Sequence, residues 1–438
     1  MNCKSLFVAI LLAAAPLASV AQVNCDTSTK LVCEFPVSAE TLSAQTFGAG
    51  AKAAALSTAV PINAAIAAQL TQLPVPSATV GVVSLRHAGS EVPTPWNNLG
   101  PVLTDRPDTV GRGHIFMGFS YQHFNFNALE GYSLGSLPIA FTYSATIQTP
   151  QGSPDQQTYF GSMANNVHFQ LDQFVSIATI GITPTTDVSV IVPVNSVTLS
   201  VVSSNFSAVT YDSLKNTYTT VGPPKGTTVA SSGSANGLGD VTFTFKQMVL
   251  GQDHNRVAAA VGASFRIPSG DSLNYLGSGA IGGNAYGLFE YRARLAPHFK
   301  LGYQWNNTTK VLDLQTGTTK TLPGGLQYAA GTDFRVNRQL TLAVDLLGSQ
   351  FVNTPYFTET TQQLNPAPPV SSGVSSLYTV VTTPRNTYTT ANFSGGIKWS
   401  PAPHLVFFGN ALIQVNKQGL RSDIVPLGGI AYNFSRRE

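Results

Sequence analysis

Charge is scarce in this chain of 438 residues. Lys, Arg, Asp and Glu make up 10% of it, against the roughly 25–35% that keeps a soluble surface in solution. An ordinary soluble surface is therefore excluded, and the many apolar segments exclude a disordered chain. A net charge of +3 is too slight and too scattered for a nucleic-acid-binding stripe. Beyond the leader, no apolar run approaches the roughly 18–20 residues of a spanning helix. Any crossing of a membrane must then be made by strands. Cysteine is rare too, with Cys3 in the leader and only Cys25 and Cys33 beyond it.

What is present begins with an export signal. Lys4 supplies a positive n-region, residues 6–17 an apolar core, and Ser19-Val20-Ala21 a small-residue cleavage site, so residues 1–21 are expected to be removed. In an exported chain, Cys25 and Cys33 favour a small-loop disulfide over two free thiols or a metal pair.

From residue 113 onward the chain alternates apolar and polar residues in strand-length runs. Ile115, Met117, Phe119 and Tyr121 alternate with Gly118, Ser120 and Gln122. Short connectors are read at Pro184-Thr185-Thr186-Asp187, 251–255, Ala296-Pro297-His298, 336–339 and 400–404, with long stretches such as 204–236 and 351–386 between them. Short turns on one side and long loops on the other are the mark of a transmembrane β-barrel. The expected fold is all-β: an antiparallel up-and-down barrel of about twelve strands over 113–438. Ile430, Tyr432 and Phe434 form the alternating, Phe-ended last strand that outer-membrane assembly machinery recognises, although residues 435–438 follow it. Trp305 and Trp399 fall at strand ends, where an aromatic girdle sits.

Residues 22–112 read differently. Residues 38–73 are rich in Ala, Gln and Leu, with Ser38 as an N-cap candidate and Pro61 dividing two short helices. An extended piece follows at 78–86, then a proline-rich run through Pro107. This segment is expected to plug or cap the periplasmic mouth.

Alternation also assigns faces. Phe289, Tyr291, Phe299, Leu301, Tyr303, Tyr328 and Phe334 are expected to face lipid, because a charge at mid-bilayer costs about 2–4 kcal/mol. The lumen is expected to receive Lys246, Arg266, Arg292, Arg294, Lys300, Arg335 and Lys398, with Asp172, Glu290, Asp333 and Asp345. That is a modestly cationic interior, readable as an ion-pair network filling a narrow barrel or as a lining that favours anionic or aromatic solutes. His254, His298 and His404 are read as surface turn residues, and no metal or cofactor is expected. Gly262-Ala263-Ser264 lacks the glycine of a nucleophile elbow. Gly237-Leu238-Gly239-Asp240 opens a strand, so it lacks the helix N-terminus of a phosphate site. Neither motif points to an enzyme.

Several motifs resemble outer-membrane proteins of the meta-pathway of phenol degradation family. They are Gly181-Ile182-Thr183 with the run from Asp187 to Pro193, Gly237-Leu238-Gly239-Asp240-Val241 with Lys246, and Pro268-Ser269-Gly270-Asp271 with Leu276-Gly277-Ser278-Gly279. Residues 331–334, Asp345-Leu346-Leu347-Gly348, and Gly419-Leu420-Arg421-Ser422-Asp423 with Pro426 continue the series. The resemblance covers residues 110–434 and implies a β-barrel and a transport role. The expected function is passive passage of small solutes, hydrophobic or aromatic ones among them, by a monomer in contact with outer-membrane lipid. A structural or surface-interaction barrel with a closed lumen is the alternative, and a lipid-active barrel enzyme a third.

Overall fold

The computed structural model describes residues 25, 28–47, 62–63, 65–70, 73–74, 77, 99–148, 154–212, 217–224, 226–251, 255–312, 319–364, 376–402 and 404–434. The leader, its cleavage site, the piece at 78–86 and His254 lie outside them. Twelve strands close into an antiparallel barrel. They are β1 (Ile115–Phe126), β2 (Pro154–Thr183), β3 (Thr186–Asp212), β4 (Val241–Leu250), β5 (Val257–Ile267), β6 (Gly282–Tyr291), β7 (Leu295–Asn306), β8 (Gly325–Arg335), β9 (Leu340–Pro355), β10 (Arg385–Ala402), β11 (Leu405–Gln414) and β12 (Ile424–Phe434). Each pairs with its sequence neighbours, and β1 closes on β12 with Ile115 opposite Phe434.

Eight of the strands, β1, β4 to β8, β11 and β12, are 10 to 12 residues long, close to the roughly 9–11 that a tilted spanning strand needs. The expected short connections gather at one end. Register carries this around the ring: Ile115 faces Ile180, Thr183 faces Thr186, Val257 faces Tyr291, Leu295 faces Phe334, and Ala402 faces Leu405. At the other end β2 and β3 overshoot to 30 and 27 residues. There they carry added strands at Leu137–Gln148, Thr217–Val221 and Val229–Leu238. The stretches read as long loops are thus partly sheet, because their Thr- and Val-rich runs pair with β2 and β3 beyond the barrel wall.

One expected turn is displaced. The β6–β7 connection is 292–294, and Ala296-Pro297-His298 lies within β7. Proline suggested a turn, but Pro297 faces outward on a strand whose alternation continues through it: Leu295, Pro297, Phe299, Leu301 and Tyr303 are exposed, and Ala296 and His298 are buried.

The outer surface is a continuous apolar belt. Phe119, Phe174, Phe243, Phe265, Phe289, Tyr291, Phe299, Leu301, Tyr303, Phe334, Phe393 and Ile430 are all exposed. Trp399 stacks on Phe407, and Tyr432 meets Phe434, at the short-turn end. Tyr328 is also on this face but only half-buried, because its ring lies over Gly348 of the next strand, where no Cβ would fit.

Inside, the N-terminal segment meets the wall along the whole barrel, and one buried apolar cluster joins it to both ends. A 3₁₀ turn, Leu31–Cys33, leads into helix α1, Glu34–Phe47. Ser38 is therefore inside the helix instead of capping it, and its hydroxyl bonds Ser203 and the Val229 carbonyl. Residues 62–63 and 65–70 are helical, as the pattern around Ile62 implied. Cys25 and Cys33 are disulfide-bonded, with α-carbons 5.1 Å apart. This part sits at the long-loop end, against β3 and Val229–Leu238. Among the described residues, the helical part of the segment lies at the long-loop end and residues 99–112 at the short-turn end, so it meets both ends of the barrel instead of a single mouth. Leu31, Val32, Phe35 and Leu42 find their apolar partners on the overshooting strands, and residues 99–112 find their ionic partners near the turns.

Candidate functional site

Entry from the segment into β1 depends on glycine. Gly111 and Gly113 take positive φ of 90° and 76°, and Gly181 has the Gly111 backbone where a Cβ would be. The Gly113 amide donates to the Gly181 carbonyl at 2.9 Å. The chain therefore folds back into the barrel, and residues 99–110 run along the inner wall.

A dense charge lattice fixes that run. The Arg106 guanidinium grips Glu290 of β6 at 2.9 and 3.3 Å and also meets Asp108 at 2.9 Å. Asp108 in turn bonds Arg292. Lys246 of β4 donates to the carbonyls of Arg106 and Asp108 at 3.0 and 2.6 Å. Lys398 of β10 donates to the Leu99 carbonyl at 2.9 Å. Both carboxylate oxygens of Asp187 accept from the Val110 amide, at 3.1 and 3.0 Å. Asp105 faces Lys300 at 3.3 Å. Burial opposes ionisation of Asp105, but Lys300 and Lys246 outweigh it and hold the carboxyl below its ordinary value. A buried charge is tolerated only when paired and hydrogen-bonded, and here nearly every partner comes from the opposite body.

Placement of the expected lumen charges is mixed. Glu290, Asp333, Asp345, Lys246, Arg292 and Lys398 are buried on the inner face, and Arg266 and Lys300 line a cavity there. Arg335 is half-buried at the short-turn rim. Two assignments are corrected. Arg294 is exposed in the β6–β7 turn, over the Phe334 ring at 5.3 Å, because the turn comes earlier than expected. Asp172 lies on the outer face beside Phe174, held by Tyr121 and by His123 at 2.7 Å. Its parity with Phe174 placed it outside from the start.

Sequence reasoning missed Asp105, Arg106, Asp108, Asp187, Asp240 and His298. The cluster Asp105-Arg106-Pro107-Asp108 was the available signal, three charges in four residues of a charge-poor segment. With these included, the inner cations Arg106, Lys246, Arg266, Arg292, Lys300, Arg335 and Lys398 are matched by Asp105, Asp108, Asp187, Asp240, Glu290, Asp333 and Asp345. Among the described residues this set is balanced, seven cations against seven carboxylates, and not cationic. His298, expected on the surface, is buried between Asp333 at 3.5 Å and Asp345. Gly331 makes this possible, since a Cβ there would collide with both His298 and Asp345.

Above the lattice a cavity of 340 Å³ remains between segment and wall. Leu73, Ser77, Thr104 and Asp105 border it on one side, and Arg266, Asn284, Lys300 and Gln327 on the other. Lys300 stands over the inward ring of Tyr286 at 4.5 Å, and Arg266 faces Asp240 at 3.6 Å and Asn306 at 2.6 Å.

No family model and no curated protein matches the chain. Among solved structures, an outer-membrane channel from Pseudomonas putida F1 is similar at 10% identity and a TM-score of 0.44, over 76% of this chain and 100% of that one. The NanC porin is similar at 10% identity and a TM-score of 0.31, over 55% and 93%. A FadL homologue from Pseudomonas aeruginosa is similar at 9% and 0.30, over 82% and 97%.

Proposed function

We propose that this protein is an outer-membrane channel for passive passage of small solutes, throttled by its own N-terminal segment. The observation that carries this reading is a closed barrel with an apolar outer belt whose interior keeps a 340 Å³ cavity bordered by charged and polar side chains. An apolar exterior of this extent belongs in lipid, and an enclosed space with polar borders inside it is what a passing solute needs. In this reading residues 1–21 are cleaved during export, assembly machinery inserts the barrel as a monomer, and the short turns face the periplasm. The lining sets amides, hydroxyls and paired charges beside apolar side chains such as Leu73, Leu171, Ile191 and Leu347, which suits a small solute with both a polar and an apolar face.

The ion-paired segment filling the interior favours a second reading, a structural barrel whose long-loop sheet makes the contacts. Solute efflux from liposomes carrying the purified full-length chain separates the two. A channel raises permeability to small polar solutes above the lipid background, with a sharp size limit. Heat-modifiable, correctly folded protein that leaves permeability at background would support the structural reading instead.

A further inference from the structure

The cavity lies between two ladders of side-chain amides. On one wall Gln173 of β2 donates to Asn195 of β3 at 3.0 Å, with Gln122 of β1 bonded to Gln173 from outside the cavity lining. On the other, Asn284 of β6 donates to Gln327 of β8, and Gln327 donates to Gln304 of β7. The second ladder continues through Asn306 to Arg266, with Gln304 donating to Asn306 at 3.4 Å. All of these residues occupy inward positions of their strands. Hydroxyls of Thr244, Ser349 and Thr390 fill much of the space between.

Two features set the chemistry of a guest. First, the cavity's cations are engaged, Lys300 with Asp105 and Arg266 with Asp240, so an anion would have to break an existing pair to bind. Second, the lining sets the amides and hydroxyls of Gln173, Asn195, Gln327, Ser349 and Thr390 beside apolar side chains such as Leu171, Leu276 and Leu347. An amide offers a donor and an acceptor side by side, and so does a hydroxyl. A wholly apolar guest would cover the amides and hydroxyls without bonding them; a ring carrying several hydroxyls meets both parts of the lining.

We propose that the cavity between the Gln173–Asn195 pair and the Asn284–Gln327–Gln304 ladder is a binding subsite for a small, neutral, hydroxyl-rich solute of the sugar or polyol class. Its volume is at the lower end of the roughly 300–1,000 Å³ of small-molecule pockets, which limits the guest to one or two sugar rings. This inference rests on the channel reading and narrows it to a solute class.

Saturation-transfer NMR on the full-length chain in micelles of a sugar-free detergent tests it, with glucose, maltose and benzoate offered separately. Glucose or maltose should receive saturation, benzoate should neither bind nor displace it, and Gln327→Leu should cut the sugar signal at least fivefold. Thr104→Val, which leaves the barrel wall untouched, should also lower it and keeps the test decisive should the wall variant fail to insert. Benzoate binding that Arg266→Gln abolishes, without sugar binding, would overturn the proposal in favour of an anion site. Ion conductance requires neither probe. A protein that conducts yet binds no sugar would therefore sink the subsite and leave the channel standing, whereas one that binds sugar and never conducts would overturn the channel.

Discussion

Replacing Arg106 with methionine should release residues 99–110 from the wall without harming the barrel. The Arg106 side chain is 7% exposed and Glu290 is 1% exposed, so the lost guanidinium leaves a carboxylate stranded in the interior. Breaking a buried pair from one side costs about 3–5 kcal/mol. That is roughly two to three and a half powers of ten in the ratio of docked to released segment, at about 1.4 kcal/mol per power. Asp108 keeps Arg292, so the loss centres on Glu290. In planar bilayers the variant should show frequent large openings where the parent shows few, while its shift between heated and unheated gel positions stays the same. Adding Glu290→Met should restore most of the closed time, since an apolar pair of similar volume is nearly neutral where a lone buried charge is not. If the single variant conducts like its parent, or the double variant opens as often as the single, the lattice does not hold the segment.

Three further outcomes are expected. Phe299→Arg, placed mid-belt, should cost about 2–4 kcal/mol and lower the yield of heat-modifiable protein, whereas Leu295→Arg near the rim should be tolerated; equal yields would deny the belt its place in lipid. Removing the disulfide by Cys25→Ser with Cys33→Ser should expose residues 28–47 to protease while leaving the barrel's thermal unfolding in place, because the bridge pins only the approach to α1. At the long-loop end, burial pushes the Glu130 carboxyl from its ordinary 4.5 up to about 7, against the pull of the Gly419 amide, Tyr388 and Arg421. A carboxyl raised in the folded state holds its proton there, so this contact is firmest below 4.5 and weakens as pH climbs through about 7. Hydrogen exchange at residues 127–134 and 417–421, corrected for its intrinsic pH dependence, should therefore quicken across that window, and Glu130→Gln should flatten the response.

Much of the barrel was legible because a strand with unlike faces writes its orientation in alternate residues. Phe289, Tyr291, Phe299, Leu301 and Phe334 lie outward as their parity required, with Glu290 and Asp333 opposite. A turn is written more faintly. The β6–β7 connection has no glycine, and Pro297 drew it four residues too far, taking Arg294 and His298 with it. Asp172 was misplaced because its charge was given more weight than its parity with Phe174. The segment inside was the least legible part. Its helix and disulfide are local features, but its place at the long-loop end depends on contacts such as Ser38 with Ser203 and Lys30 with Asp271. Such pairings are far apart in sequence and leave no periodicity. The lattice was half visible for the same reason: the wall supplied Glu290, Arg292, Lys246 and Lys398, and their partners at 99–108 had no strand pattern to announce them.

Single-channel conductance of the full-length protein beside a variant lacking residues 38–107 bears most directly on whether a throttled channel is the right description. The deletion removes Arg106 and the cavity-bordering Leu70, Leu73, Ser77, Thr104 and Asp105 while leaving every barrel strand in place. Conductance should rise several-fold in the variant, with the barrel still heat-modifiable. An equally folded variant that conducts no more than its parent would contradict the channel and leave a barrel whose interior is purely structural.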